Sequence, residues 1–314
     1  MRELRIVFMG TPDFAVGSLD ALINANFNVV GVITAPDKPA GRGKKLHQSA
    51  VKKYAIEHQL KLLQPTNLKN ETFLKELKQL NANLQIVVAF RMLPKVIWQM
   101  PKYGTFNLHA SLLPNYRGAA PINWVIINGE TKTGVTTFFI DEKIDTGNLI
   151  LQEEVTITEK LTAGELHDIL MNIGSQLVVK TTQLIAEDNI KTIPQAHTDI
   201  KSAPKIYTET CKINWNKPLT KIYNLIRGLN PYPAAWSLLL NGDEEIKIKI
   251  FDVEKELITH TYDIGVIISN KSEIKIATIN GFLKINSLQL AGKRKMDAKS
   301  LLNGYSFYTN AKML

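Results

Sequence analysis

Over the first two hundred positions, short dense apolar runs alternate with stretches whose apolar residues recur every three or four places. Leu4–Met9 is a β-branched and aromatic run closed by Gly10, and Ala15–Ala25 follows it at helical spacing. Phe27–Thr34, Leu84–Phe90, Thr105–His109 and Gly134–Ile140 read as further strands, with Asn148–Ile157 as partner of the last. Ala50–His58, Glu71–Leu80, Ile122–Asn128 and the long amphipathic Ala163–Glu187 read as helices. Strands separated by helices of about ten residues predict an α/β fold, a mainly parallel, doubly wound, Rossmann-like sheet with helices on both faces.

The pattern changes near Pro194–Pro204. One helix, Leu219–Gly228, then precedes the short strand candidates Glu245–Phe251, Tyr262–Ser269, Glu273–Thr278 and Phe282–Leu290. Asn241-Gly242, Ser269-Asn270 and Asn280-Gly281 punctuate them as turns. Such a series predicts a small antiparallel, OB-like β-barrel. The expected domains are therefore 1–203 and 204–314, with Trp215, Trp236, Tyr223 and Tyr232 in the core of the second.

Composition excludes several classes. No apolar run approaches the ~18 residues of a membrane span, and the opening MRELRIVFMG lacks the long apolar core of a signal peptide. Cys211 is the single cysteine, so neither an internal disulfide nor a cysteine-rich zinc site is available. A cytoplasmic monomer with no membrane attachment is the expectation. The net charge is +9, and its distribution is uneven. Residues 1–204 hold 22 basic and 19 acidic side chains, whereas residues 205–314 hold 16 and 10. That asymmetry is compatible with an anionic partner, nucleic acid first, but charge alone does not establish one.

Candidate chemistry concentrates between Phe106 and Ile150. Asn107 and His109 alternate on a strand and so share one side of it, at the end where open α/β sheets place their ligand crevice. Asp145 comes from a loop closed by Thr146-Gly147. An amide, an imidazole and a carboxylate suit acyl transfer. The first two can donate to a developing oxyanion, and the carboxylate can support the imidazole or order a water. No serine elbow accompanies them, so no covalent acyl-enzyme is indicated, and no metal set is present. Nor does Thr11-Pro12-Asp13-Phe14 after the first strand form a dinucleotide fingerprint. On spacing alone, a core histidine is the better reading of His109. The surrounding residues overturn it.

The string N-x-H-x-S-L-L-P from Asn107, then Y-R-G-A-A-P-I-x-W from Tyr116, T-G-V-T from Thr133 and I-D-T-G from Ile144 closely resembles the folate-dependent formyltransferases. FMGTPDFAV (Phe8–Val16), APDKPAGRGKKL (Ala35–Leu46), Gln64-Pro65, INW (Ile213–Trp215), IRGLNPYPAAW (Ile226–Trp236), GKRKM (Gly292–Met296) and LLNG (Leu301–Gly304) extend the resemblance over nearly the whole chain. It is nearest to the branch of that family that acts on methionyl-tRNA.

The resemblance implies a formyl transfer from 10-formyltetrahydrofolate, without a metal, to the α-amine of initiator methionyl-tRNA. It makes Asn107, His109 and Asp145 catalytic and Ser111, Leu112, Leu113 and Pro114 a folate-contacting loop. Arg91, Met92, Leu93 and Ile140–Asp145 would supply further folate contacts. One departure is Ala89-Phe90-Arg91, where the tRNA enzymes commonly read A-Y-G. The loop Asp37–Lys45, with Arg42, Lys44 and Lys45, would enter the acceptor stem, and Phe14 would shape the methionyl pocket. Lys247, Lys249, Lys293, Arg294 and Lys295 would meet tRNA phosphates. Two other readings stay open: the same transfer onto an amino sugar nucleotide or glycinamide ribonucleotide, and a folate- or RNA-binding protein without catalysis.

Overall fold

Two five-residue runs, Ile6–Gly10 (β1) and Leu84–Val88 (β4), the second broken only by the buried Gln85, are buried at every position, as strands covered on both faces must be. The computed structural model describes residues 1–40, 45–196 and 200–314. Around β1 and β4 it sets Val29–Ile33 (β2), Leu62–Leu63 (β3), Thr105–His109 (β5), Lys132–Phe139 (β6) and Leu149–Thr156 (β7). The order is β7-β6-β5-β4-β1-β2-β3. Neighbours from β5 through β3 are parallel, and β6 and β7 run antiparallel at one edge. The doubly wound, mainly parallel sheet expected from the pattern is the sheet observed.

Helices α1 (Asp13–Asn24), α2 (Ala50–Glu57) and α3 (Glu71–Gln79) connect the parallel strands. Ser49 Oγ accepts from the Lys52 N–H to cap α2, and Asn70 Oδ1 accepts from the Phe73 N–H to cap α3. Phe73 and Leu77 of α3 close a cluster with Val7, Met9, Ile33, Val87, Leu93 and Ile97.

Contacts divide the chain into two compact units, which are not two simple stretches of sequence. The first comprises Met1–Gly118, Lys132–Thr156 and His167–Ala203; the second comprises Ala119–Thr131, Ile157–Leu166 and Pro204–Leu314. Side-chain bonds give the reason for the two insertions. Helix α4 (Pro121–Ile127) docks on α6 (Leu219–Leu229), where Asn123 Nδ2 donates to Gly228 O at 2.7 Å. Buried Arg227 donates to Leu161 O at 2.9 Å, tying in the approach to α5 (Ala163–Ala186).

In the second unit, Ala235–Asn241 (β8), Glu244–Glu256 (β9), Ile267–Ser269 (β10), Ile274–Thr278 (β11), Gly281–Leu290 (β12) and Lys312–Met313 (β13) form one antiparallel sheet. Its order is β10-β11-β12-β9-β8-β13, and a bridge between Val266 and Lys312 brings the two edges together. The result is the barrel that the turn spacing predicts. Trp215 lies in its core, its Nε1 donating to Ser237 Oγ at 2.9 Å, beside Tyr223, Ile248, Ile276 and Leu283. Two aromatic expectations are corrected. Trp236 takes an outward position in the alternation of β8 and is half-buried, and Tyr232 is 82% exposed in the connection before β8.

Candidate active site

The register of β5 decides which side chains meet. Asn107 stands beside Val87 on β4 and Phe138 on β6, and His109 stands beside Thr136, so the amide and the imidazole share a face. His109 is buried and Asn107 half-buried. His109 Nε2 lies 2.8 Å from Tyr116 O. A carbonyl can only accept, so Nε2 carries the hydrogen. The other ring nitrogen, Nδ1, faces Asp145 Oδ2 at 3.8 Å. That separation is too long for a hydrogen bond and short enough for strong attraction once the ring is protonated, since both side chains are largely screened from water. Asp145 has a left-handed backbone (φ 55°), and its Oδ2 accepts from the Gly118 N–H at 2.9 Å. The three side chains singled out from sequence thus converge on one region of the first unit.

The loop after β5 is held by a polar network. Thr136 Oγ1 donates to Ser111 O at 2.6 Å and accepts from the Leu113 N–H at 3.2 Å. Gln152 Nε2 donates to Leu113 O at 2.9 Å, and Ser111 Oγ donates to Asn115 O at 2.7 Å. Ser111 and Leu113 are buried, whereas Leu112 and Pro114 are half-buried. Sequence reasoning missed Tyr116, Gly118, Thr136, Gln152 and Gln195 as parts of this site. Tyr116, Gly118 and Thr136 stand in the strings Y-R-G-A-A-P-I-x-W and T-G-V-T, which named no role for them, whereas Gln152 and Gln195 lie outside every such string.

Two other segments named for a folate come together. Lys95 Nζ pairs with Glu142, and Ile140 packs on the cluster containing Leu93. Residues 89–94 lie outside any ladder, and Met92 and Ile144 are 71% and 62% exposed. Main chain outside a ladder, with adjoining apolar side chains, fits a flat heterocycle carrying hydrogen-bonding edges. Arg91 turns its guanidinium to Pro65 O and Thr66 O, so its own fork is engaged within the protein. Phe14 is buried, with its ring 5.3 Å from that of His167 on α5.

At the base of the basic loop, Asp37 Oδ2 accepts from Lys52 Nζ at 2.6 Å and Oδ1 from Gln64 Nε2 at 2.9 Å. The bond from Lys52, then that from Gln64, holds the Asp37 carboxyl below its ordinary range. Arg42 and Lys44 lie outside the described residues, as does the side chain of Lys45 at the start of the strand Lys45–His47.

In the second unit, β8 and β9 bring a basic face together around Trp236. Lys247 Nζ sits 3.8 Å from the centre of its ring and Lys212 Nζ 5.6 Å. Trp236 pairs directly with Lys249. The turn bearing Lys293, Arg294 and Lys295 adjoins this face, since Ala291 N–H donates to Lys247 O at 3.0 Å. All three of those side chains are exposed, with Lys295 over the Phe251 ring at 4.6 Å.

Among the described residues, no group of three or more His, Cys, Asp and Glu side chains is arranged to hold a metal ion. No described helix is long and apolar enough to cross a membrane. Comparison with known proteins assigns both parts of the chain. Residues 4–182 match the formyl transferase family, and residues 205–306 match the formyl transferase C-terminal domain. The chain belongs to the formyl transferase family.

Within it, the chain groups with the methionyl-tRNA formyltransferases. It is 62% identical to the methionyl-tRNA formyltransferase of Flavobacterium johnsoniae over 314 residues, the whole of both chains. With that of Bacteroides fragilis it shares 52% over 317 aligned residues, covering 99% of this chain and 98% of the relative. Among solved structures, the sugar 3N-formyl transferase WlaRD, crystallised with dTDP and 5-N-formyl-THF, superposes with a TM-score of 0.65. That match covers 94% of this chain and all of the other at 24% identity, and it shows the shared fold.

Proposed function

We propose that the chain transfers the formyl group of 10-formyltetrahydrofolate to the α-amino group of methionine on initiator tRNA, giving N-formylmethionyl-tRNA for translation initiation. The observation that carries this reading is the convergence of Asn107, His109 and Asp145 on one face of the sheet, with the His109 Nε2 hydrogen committed to Tyr116 O. An esterified amino acid has a weakly basic amine, so much of the nucleophile is neutral at pH 7 unaided. Asn107 Nδ2 and a proton on His109 Nδ1 donate to the formyl oxygen as it gains charge. Asp145 stabilises the imidazolium and orients the water that carries the amine proton to the leaving nitrogen. One C–N bond forms, another breaks, and the proton moves between the two nitrogens.

Ser111–Pro114, with the main chain of residues 91–93 and 140–145, is proposed to hold the pterin, and Phe14 to border the methionyl side chain. Arg42, Lys44 and Lys45 would reach the acceptor stem. The reading takes the chain as a cytoplasmic monomer without membrane attachment. The test is to mix it with 10-formyltetrahydrofolate and methionyl-tRNA and measure formylmethionine, with glycinamide ribonucleotide and an amino sugar nucleotide as parallel acceptors. Formylmethionine alone is expected. Product only from either small acceptor would overturn the assignment.

The basic face on the barrel gives a second expectation. Affinity for tRNA should fall by ~0.7–0.9 log units per tenfold rise in salt for each phosphate neutralised. Replacing Lys247 and Arg294 together by Gln should flatten that slope by about twice this amount if each meets one phosphate. An unchanged slope would remove both from the RNA surface.

A further inference from the structure

Both members of the His109–Asp145 pair are held from one three-residue segment. Tyr116 O accepts from His109 Nε2 at 2.8 Å, and Gly118 N–H donates to Asp145 Oδ2 at 2.9 Å. The segment therefore sets the distance between imidazole and carboxylate. Between these two anchors lies Arg117, whose guanidinium reaches Gln195 Oε1 from Nη2 at 2.7 Å and from Nε at 3.2 Å. Arg117 Nη2 also donates to Ala196 O at 3.2 Å.

Gln195 completes a circuit. Its side chain is buried, and its Nε2 donates to Asp145 O at 3.0 Å and to Gly147 O at 2.7 Å. Arg117 offers only donors to the amide and the two carbonyls only acceptors, so the orientation of the amide is fixed. A chain of bonds thus runs from Asp145 through Gly118, Arg117 and Gln195 back to Asp145. Neither Gln195 nor the Arg117 guanidinium bonds to His109.

We infer that Gln195 is a positioning residue for formyl transfer: its amide couples the Asp145 loop to the segment 116–118 and so keeps His109 and Asp145 at their working separation. The inference rests on the role proposed above for that pair. A reading in which Gln195 merely satisfies two main-chain carbonyls predicts a loss of stability without a specific loss of rate. The two readings separate in a double-mutant cycle.

Gln195→Glu keeps the size and the Arg117 contact but sets a carboxylate oxygen against the carbonyls of Asp145 and Gly147. Gln195→Met removes both sets of bonds and serves if the first variant folds poorly. Single-turnover formylation, folate Kd and the thermal midpoint are measured for each, in the wild-type and in the Asp145→Asn background. Either substitution is expected to slow transfer about 30- to 100-fold, the scale of a displacement near 1 Å at a reacting centre, with folate Kd within about threefold. In the Asp145→Asn background the same change should add less than about threefold, because the carboxylate it aligns has already lost its charge. Equal fold losses in the two backgrounds, or a lowered thermal midpoint with an unchanged rate, would overturn the positioning role. If the wild-type chain transfers no formyl group at all, the proposed reaction is what fails. An active wild type with equally active Gln195 variants removes only the inference about Gln195.

Discussion

His109→Ala should slow formyl transfer at least ~100-fold in a single-turnover measurement, and Asp145→Asn should do as much, while folate binding is largely retained. The geometry says why the two variants report on one effect. In many His–carboxylate pairs the acid fixes the tautomer, so its amide analogue disturbs both the ring hydrogen and the charge. Here Tyr116 O already holds the hydrogen on Nε2. Asp145→Asn therefore removes charge opposite Nδ1 while leaving the ring anchored, and its cost measures how far the carboxylate supports a proton there. Losing a preorganised donor to a developing oxyanion costs ~3–4 kcal/mol, which sets the scale for His109→Ala. Near-normal single-turnover rates for either variant, with methionyl-tRNA saturating, would remove the pair from the chemistry.

How much of this was legible beforehand depends on what carries each feature. The dense apolar runs of β1 and β4 announce strands buried on both faces, and the alternation Asn107–His109 announces a shared side. Strand β8 is not legible in the sequence, because its three consecutive leucines, Leu238–Leu240, mask the period of two that the barrel imposes. The same period turns Trp236 outward, where Lys247 of β9 and Lys212 lie over its ring, against the expectation that a tryptophan is core. Asp145 could be tied to His109 only through resemblance, since they lie far apart in sequence. Tyr116 and Gly118 act through a main-chain carbonyl and N–H that every residue but proline possesses, so their residue types carried no signature. Gln195 lies outside the strings that carried the resemblance and gave no local sign of its contacts. The insertion of residues 119–131 and 157–166 into the second unit was likewise invisible, because it rests on long-range bonds from Asn123 and Arg227.

The second large effect is expected at a position with no functional group. A Cβ at Gly147 would overlap the carbonyl oxygen of Phe139, lying 2.8 Å from its carbon and 3.5 Å from Asp141 N. All three are backbone atoms and cannot rotate away as a flexible side chain could. The strands are also fastened at this point, since the Phe139 N–H donates to Asn148 O at 3.0 Å and the Gly147 carbonyl is bonded to Gln195. A methyl group can therefore be admitted only by lifting the loop that ends at Gly147, and Asp145 is two residues away on it. Overpacking of this kind costs ~1–3 kcal/mol, and a shift of about 1 Å at a reacting group costs ~100-fold in rate. Gly147→Ala should thus lower both the denaturation midpoint and the single-turnover rate. Gly304→Ala, where nothing lies within 4 Å of the added atom, is the matched control and should change stability by no more than about 0.5 kcal/mol. A Gly147→Ala protein as stable and as fast as the control would mean that the loop yields without moving Asp145, and the tight coupling of strand ends to the carboxylate would have to be abandoned.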